Sequence, residues 1–260
     1  MKEPATSPAP VEPSSLPPPA AIPPSLVLPT LGSGAMFDRI ARRYDFVNRV
    51  LSLGLDKGWR RRTVRSLQLG ERPRVLDLAT GTGDLAIDIA RARDGATVIG
   101  LDPSRKMLEI AAEKLVRRGL DDRVSLVVGD AQQLPYASCE MDAVTIAFGI
   151  RNVPDRLAAL REMARVVRPG GRIAVLELGE PRNGLLGRVA RIHTRHVVPR
   201  LGALLSGARE YGYLQQSIAA FPPADEFVAL MGRAGLQVLE VVPLTFGACT
   251  LFVATPTEEP

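Results

Sequence analysis

Three carboxylates in this chain each sit at or near the end of a short apolar run. Asp77 lies within Arg74-Val75-Leu76-Asp77-Leu78-Ala79, Asp102 closes Thr97–Leu101, and Asp130 follows Val124–Val128 and Gly129. The first run leads into a glycine turn, Thr80-Gly81-Thr82-Gly83-Asp84. Glycine lacks the Cβ that would keep backbone away from a ligand, so Gly81 and Gly83 mark a loop able to approach a small molecule closely. Gly81, Gly83 and Ala86, with Asp102 about 20 residues beyond the loop, also satisfy the dinucleotide pattern G-x-G-x-x-G/A, so spacing alone does not choose the ligand.

Charge separates the candidates. S-adenosylmethionine carries a sulfonium and an ammonium but no phosphate, so a loop flanked by Asp77 and Asp84 suits it, whereas those acids would repel a pyrophosphate. Asp102 is placed to accept hydrogen bonds from ribose hydroxyls. Asp130 can accept from an adenine amino group, and the backbone N–H of Ala131 can reach a ring nitrogen. Ligands of open α/β sheets sit beyond the carboxyl ends of the strands, so Asp77, Asp84, Asp102, Asp130 and Ala147 are expected around one crevice. The competing reading makes the same acids turn and helix-capping residues.

The elements that would carry these residues alternate. The glycine loop precedes a helical pattern at Leu85, Ile87, Ile89 and Ala90. A second helix is marked by Met107, Leu108, Ala111, Ala112 and Leu115, and a third by Leu157, Leu160, Met163, Ala164 and Val167, stopping at Pro169. Further strands are expected at Ala143–Ala147 and, after Pro169-Gly170-Gly171, at Ile173–Leu178. Gln237–Val242 and Ala248–Ala254 are close enough to pair as a hairpin, which makes the last strand antiparallel. The predicted fold is α/β, a doubly wound and mostly parallel sheet with an antiparallel last strand, the arrangement of class I S-adenosylmethionine-dependent methyltransferases.

The 260 residues suit one domain with extensions. Residues 1–34 are rich in Pro, Ala and Ser and read as a disordered tail. Residues 35–260 form the expected domain, with an N-terminal helical extension (35–70) and a helical insertion on the substrate side (about 181–222). In the extension, Phe37, Ile40, Tyr44, Val47 and Leu51 fall at helical spacing among arginines. Cys139 and Cys249 lie far apart and the histidines are His193 and His196, so no zinc site and no disulfide are expected. No apolar run approaches the roughly 20 residues that cross a bilayer, and the N-terminus lacks the pattern of a signal or transit peptide, so a cytoplasmic protein is expected.

Four blocks resemble the ubiquinone/menaquinone biosynthesis C-methyltransferases: Tyr44-Asp45-Phe46-Val47-Asn48 with Leu51-Ser52 and Trp59; Val75 through Asp84; Ala147-Phe148-Gly149-Ile150-Arg151-Asn152; and Arg165 through Gly171 leading to Glu177. Together they cover nearly all of Met36 to Thr255. The resemblance implies cofactor contacts at Thr82, Asp102 and the pair Asp130-Ala131. It also shows departures: the family often has Asn at the place of Asp130 and Ser at those of Ala147 and Gly179, and commonly Met and His at those of Val47 and Asp56.

The resemblance further implies methylation of a ring carbon of a polyprenylated quinol, naphthoquinol or benzoquinol, with S-adenosylmethionine as donor, S-adenosylhomocysteine as product and no metal. Deprotonating a ring hydroxyl makes the neighbouring carbon nucleophilic. Arg151, Asn152 and Tyr44 are implied at the substrate, Arg151 stabilising the developing phenolate or orienting a water that takes the proton, and Asn152 and Tyr44 fixing the hydroxyl. His196, Tyr211 and Tyr213, in the insertion, are candidates for the substrate wall.

Between Pro181 and Ala208 there is no acid, and Arg182, Arg188, Arg191, Arg195 and Arg200 alternate with Leu185, Leu186, Val189 and Ile192. This basic amphipathic stretch suits contact with an anionic membrane. A net charge of +5 also admits nucleic acid, but no aromatics interleave with a basic surface, so no nucleic-acid partner is expected. Oligomeric state is open, a homodimer included. A methyltransferase of another small molecule, a nicotinamide-dependent oxidoreductase and a non-catalytic binder of the same cofactor also remain open on the sequence.

Overall fold

A computed structural model of the chain describes Asp38, Ala41, Ser52 and residues 54–179 and 215–257. The elements are α1 (Asp56–Ser66), β1 (Arg74–Leu78), α2 (Asp84–Ala92), β2 (Thr97–Asp102), α3 (Arg105–Val116), β3 (Val124–Val128), β4 (Met141–Ala147), a 3-10 turn (Ile150–Asn152), α4 (Arg156–Val166), β5 (Val167–Leu178), α5 (Ala224–Arg233), β6 (Leu236–Leu244) and β7 (Cys249–Pro256). The seven strands form one sheet in the order β3-β2-β1-β4-β5-β7-β6. Pairs from β3 to β5 are parallel, and β7 runs antiparallel to both β5 and β6. The expected sheet and its antiparallel last strand are both present.

Alternation along the strands gives each face its own core. On one face Leu76, Val144, Ile146, Ile173 and Val175 pack against Leu160 and Met163 of α4 and Phe227 and Met231 of α5. On the other, Val75, Val98, Ala143, Ala174 and Leu176 pack against Leu85 and Ile89 of α2 and Trp59 of α1. The same parity puts Asp77 on the face of α1 and α2, and Glu177 on the face of α4 and α5.

The chain leaves β1 outward to β2 and β3, then returns to β4 on the other side of β1. The connections after β1 and β4 therefore lead to helices on opposite faces of the sheet, which makes this the switch point at which such sheets carry a ligand crevice. Local chemistry ends the strands sharply there. Gly81 (φ 55°) and Gly83 (φ 79°) take left-handed conformations, and Ser104 and Asp155 cap α3 and α4 by accepting from the N–H groups of Met107 and Ala158.

Two elements differ from the expectation. β5 begins at Val167 rather than Ile173: the register jumps from Val167 opposite Met141 to Arg172 opposite Ala143, so Pro169-Gly170-Gly171 is a loop looped out within the strand. Helix α1 falls within the expected helical extension (35–70), whereas α5 was not marked by the pattern. Of the predicted N-terminal helix, Asp38 and Ala41 are helical and the remainder lies outside the described residues, as does most of the predicted insertion.

Candidate active site

Asp77 is buried beneath the glycine loop instead of facing the crevice. It accepts from Thr80 Oγ1 (2.6 Å) and from Thr145 Oγ1 of β4 (2.7 Å), tying the loop to two strands. Burial pushes its carboxyl up to about 6, against the pull of these two hydrogen bonds. Asp102 is also buried. Its two oxygens accept from the backbone N–H groups of Gly81 (2.8 Å) and Ser104 (2.8 Å), so it holds the loop after β1 against the loop after β2. Burial likewise raises it to about 6.

Asp84 departs from the expectation that it adds negative charge to the loop. Lys114 Nζ lies 2.5 Å and Arg60 Nη2 3.6 Å from its carboxylate. Burial disfavours the charge, but Lys114 and Arg60 outweigh that and hold Asp84 below the ordinary carboxylate value. Arg60 is shared with Asp56 (2.7 Å) and Asp88 (3.0 Å), making a buried network among α1, α2 and α3. Lys114 also donates to Thr82 Oγ1 (3.0 Å), which fixes the hydroxyl of a residue implied at the cofactor. Among the described residues, the acids of the crevice with no ion pair are therefore Asp102 and Asp130, with Asp77 beneath.

Asp130 accepts from the backbone N–H of Gln132 (2.9 Å) and from its side-chain amide, and Ala131 beside it is buried. Both Asp102 and Asp130 thus bond the N–H two residues on, as turn-forming acids do. The turn role and the crevice role coexist, because a carboxylate oxygen that takes one N–H retains room for a second donor. Asp38, missed by sequence reasoning, accepts from Ser104 Oγ (2.5 Å) and from the Lys106 N–H (3.2 Å), joining the N-terminal segment to the start of α3 beside Asp102. The sequence offered no local signal for it, because Asp38 and the α3 cap Ser104 are 66 positions apart in the chain.

Ala147 ends β4. Beyond it Phe148 has φ 57°, and a Cβ on Gly149 would lie 2.5 Å from that of Ala79, so the loops after β1 and β4 touch, the Gly149 backbone against the Ala79 side chain. Arg151 and Asn152 lie in the 3-10 turn. Arg151 is buried. Its Nη1 donates to Glu177 Oε1 (2.6 Å) and to the Phe148 carbonyl (2.6 Å), and its Nε to Ser217 Oγ (3.4 Å). A cavity of about 420 Å³ opens on the same side, walled by Glu177, Gly179, Phe221, Pro223, Thr250 and Phe252 among others. That volume is in the range of small-ligand sites.

Tyr44, His196, Tyr211 and Tyr213 lie outside the described residues. Among the described residues no group of three His, Cys, Asp or Glu is disposed to hold a metal, and no helix is long and apolar enough to cross a membrane. The crevice fits a cationic nucleoside on this structure's own terms: two glycines without Cβ at the loop, a buried carboxylate at the end of β2, and no unneutralised cation on the loop beside them.

Comparison with known proteins gives a consistent result. The ubiE/COQ5 methyltransferase family matches residues 32–256. The ubiquinone/menaquinone biosynthesis C-methyltransferase UbiE of Syntrophotalea carbinolica is 46% identical over 217 residues, covering 84% of this chain and 91% of that protein. The demethylmenaquinone methyltransferase of Thermus thermophilus is 47% identical over 220 residues, covering 84% and 98%. Among solved structures, one from Methanococcus maripaludis assigned to the S-adenosyl-L-methionine-dependent methyltransferases superposes with TM-score 0.63 at 16% identity, covering 90% of this chain and 97% of that one. That last likeness speaks to the fold alone.

Proposed function

As this chain belongs to the ubiE/COQ5 methyltransferase family, we propose that it methylates a ring carbon of a polyprenylated quinol, with S-adenosylmethionine as donor. Membership removes the nicotinamide-dependent alternative. The observation that carries the proposal is the convergence of the glycine loop, Asp102 and Asp130 at one side of the switch point with Arg151 and Asn152 at the other, where the loops after β1 and β4 touch.

When bound, the donor supplies an electrophilic methyl group. The protein's own residues do the rest. Asp102 takes the ribose hydroxyls, and Asp130 with the N–H of Ala131 takes the adenine. Gly81, Gly83, Thr82 and Ala147 give the backbone and wall of the crevice, while Asp77 acts through the loop it anchors and through its charge. At the acceptor, the Arg151 guanidinium stabilises the oxyanion that forms as the ring hydroxyl loses its proton, and Asn152 and Tyr44 orient that hydroxyl. Arginine is too basic to serve readily as the proton acceptor itself. His196, Tyr211 and Tyr213 complete the substrate wall, and the basic stretch 181–208 brings the protein to an anionic membrane where such a substrate resides.

The test separates binding from chemistry. Arg151→Ala is expected to bind S-adenosylhomocysteine as the wild type does and to lose turnover on demethylmenaquinol; unchanged turnover removes Arg151 from the mechanism. Parallel assays with a naphthoquinol and a benzoquinol acceptor identify the ring.

A further inference from the structure

Arg151 is held in an unusual way for an arginine at a reactive centre, because a single carboxylate grips both ends of it. Glu177, the penultimate residue of β5, accepts the backbone N–H of Arg151 at Oε2 (3.1 Å) and the guanidinium Nη1 at Oε1 (2.6 Å), while the N–H of Leu178 also donates to Oε1 (2.8 Å). The Glu177 side chain is 0% exposed and that of Arg151 6%. A long side chain tied at its root and at its head to one rigid group loses most of its rotamer freedom before any substrate arrives.

The grip is reinforced from every side. The Phe148 carbonyl takes the same Nη1, and Ser217 Oγ lies at hydrogen-bond distance from Nε. Arg156 of α4 donates to the carbonyls of Ile150 (3.3 Å) and Arg151 (2.9 Å), fixing the turn that carries the arginine. Glu177 itself sits on a strand paired on both edges, Leu176 opposite Ala147 of β4 and Glu177 opposite Thr250 of β7. Among these partners Glu177 supplies the carboxylate that faces the guanidinium, and it also forms part of the cavity wall.

We propose that Glu177 is the positioning residue for Arg151: it sets the direction of the guanidinium beside the Phe148 carbonyl and Ser217 and holds it there as a desolvated pair. Its solvent-excluded carboxylate acts through Arg151 rather than on the acceptor. The inference rests on the assignment of Arg151 to the acceptor. Misplacing a catalytic group by about 1 Å costs on the order of 100-fold in rate, and this sets the size of the expected effect.

The experiment compares Glu177→Gln, Glu177→Asp and Arg151→Ala in the full chain. For each it measures S-adenosylhomocysteine affinity by calorimetry, and kcat and KM for demethylmenaquinol. Glu177→Gln keeps the shape but turns an amide N–H₂ toward a donor, and is expected to lower kcat by about 100-fold with cofactor affinity unchanged. Glu177→Asp keeps the charge but is one methylene short of gripping both ends, and is expected to recover part of kcat. A kcat split from cofactor affinity, with rescue by Asp, is what a merely structural residue does not give. Wild-type kcat in Glu177→Gln, with Arg151→Ala inactive, overturns the positioning role and leaves Arg151 in place. Wild-type kcat in Arg151→Ala overturns the reading beneath it. If Glu177→Gln does not fold, Glu177→Asp carries the test alone: reduced kcat with intact cofactor affinity supports the role, and wild-type kcat overturns it.

Discussion

Replacing Asp77 by Asn should make the ligand-free protein more stable at neutral pH while weakening its hold on the methyl donor. The carboxyl of Asp77 is raised from an ordinary value of 3.8 to about 6, chiefly by burial and against the hydrogen bonds from Thr145 and Thr80. A raised carboxyl means that the folded chain holds the proton more tightly than the unfolded chain. The ionisation penalty is absent below pH about 4, grows between 4 and 6, and is fully present above the folded value. Two pKa units at about 1.4 kcal/mol each set its upper size at about 3 kcal/mol at pH 7. The carboxamide accepts from one threonine hydroxyl and donates to the other, so part of the bonding survives; the expected net gain is about 1–2 kcal/mol, or about 4 °C in Tm. Urea denaturation of wild type and Asp77→Asn at pH 5 and pH 7.5 reads it directly. The variant should gain at pH 7.5 and much less at pH 5, and its donor affinity should fall about tenfold. A variant less stable than wild type at pH 7.5, or a difference independent of pH, refutes the reasoning.

The other predictions concern the same loop. Donor affinity should rise from pH 5 to pH 7 as Asp77 and Asp102, both raised to about 6, ionise; calorimetry in two buffers of different ionisation enthalpy should show proton release on binding near pH 6. Lys114→Met removes the nearer of two cations from Asp84 and one donor from Thr82, so it should cost about 2–4 kcal/mol in urea denaturation and weaken S-adenosylhomocysteine binding. Gly149→Ala puts a methyl group 2.5 Å from the Cβ of Ala79; it should destabilise by about 1–3 kcal/mol, with cofactor affinity falling as the two loops part. Vesicles with anionic lipid should float the protein and neutral ones should not, the basic stretch 181–208 being responsible; no flotation with either removes the membrane contact.

The strands that position the site were legible because each is a run of β-branched and aliphatic residues closed by Gly or Asp, as in β1 and its turn or β3 and Gly129-Asp130. Helix α1 falls within the expected helical extension (35–70), but the place of Arg60 in it was not legible. Arg60 is in fact buried against Asp56, Asp84 and Asp88, and partners on another helix leave no local pattern. Helix α5 was passed over although Pro222-Pro223, Asp225-Glu226 and Gly235 bracket it; it is short, it contains Gly232, and its burial rests chiefly on Phe227 and Met231. The acids of the crevice were read correctly as strand-end residues, but the sequence could not say that Lys114 neutralises Asp84 or that Asp77 points beneath the loop. The Arg151–Glu177 pair was hidden for the same reason: residues 26 apart meet only because β4 and β5 are neighbours.

Single-turnover transfer from methyl-labelled S-adenosylmethionine to demethylmenaquinol, run beside Asp102→Asn and Arg151→Ala, bears most directly on the two-sided crevice. Label should appear on a ring carbon with wild type, at reduced donor affinity with the first variant, and not at all with the second despite normal S-adenosylhomocysteine binding. Donor bound tightly by wild type with no label reaching any quinol ring would contradict it.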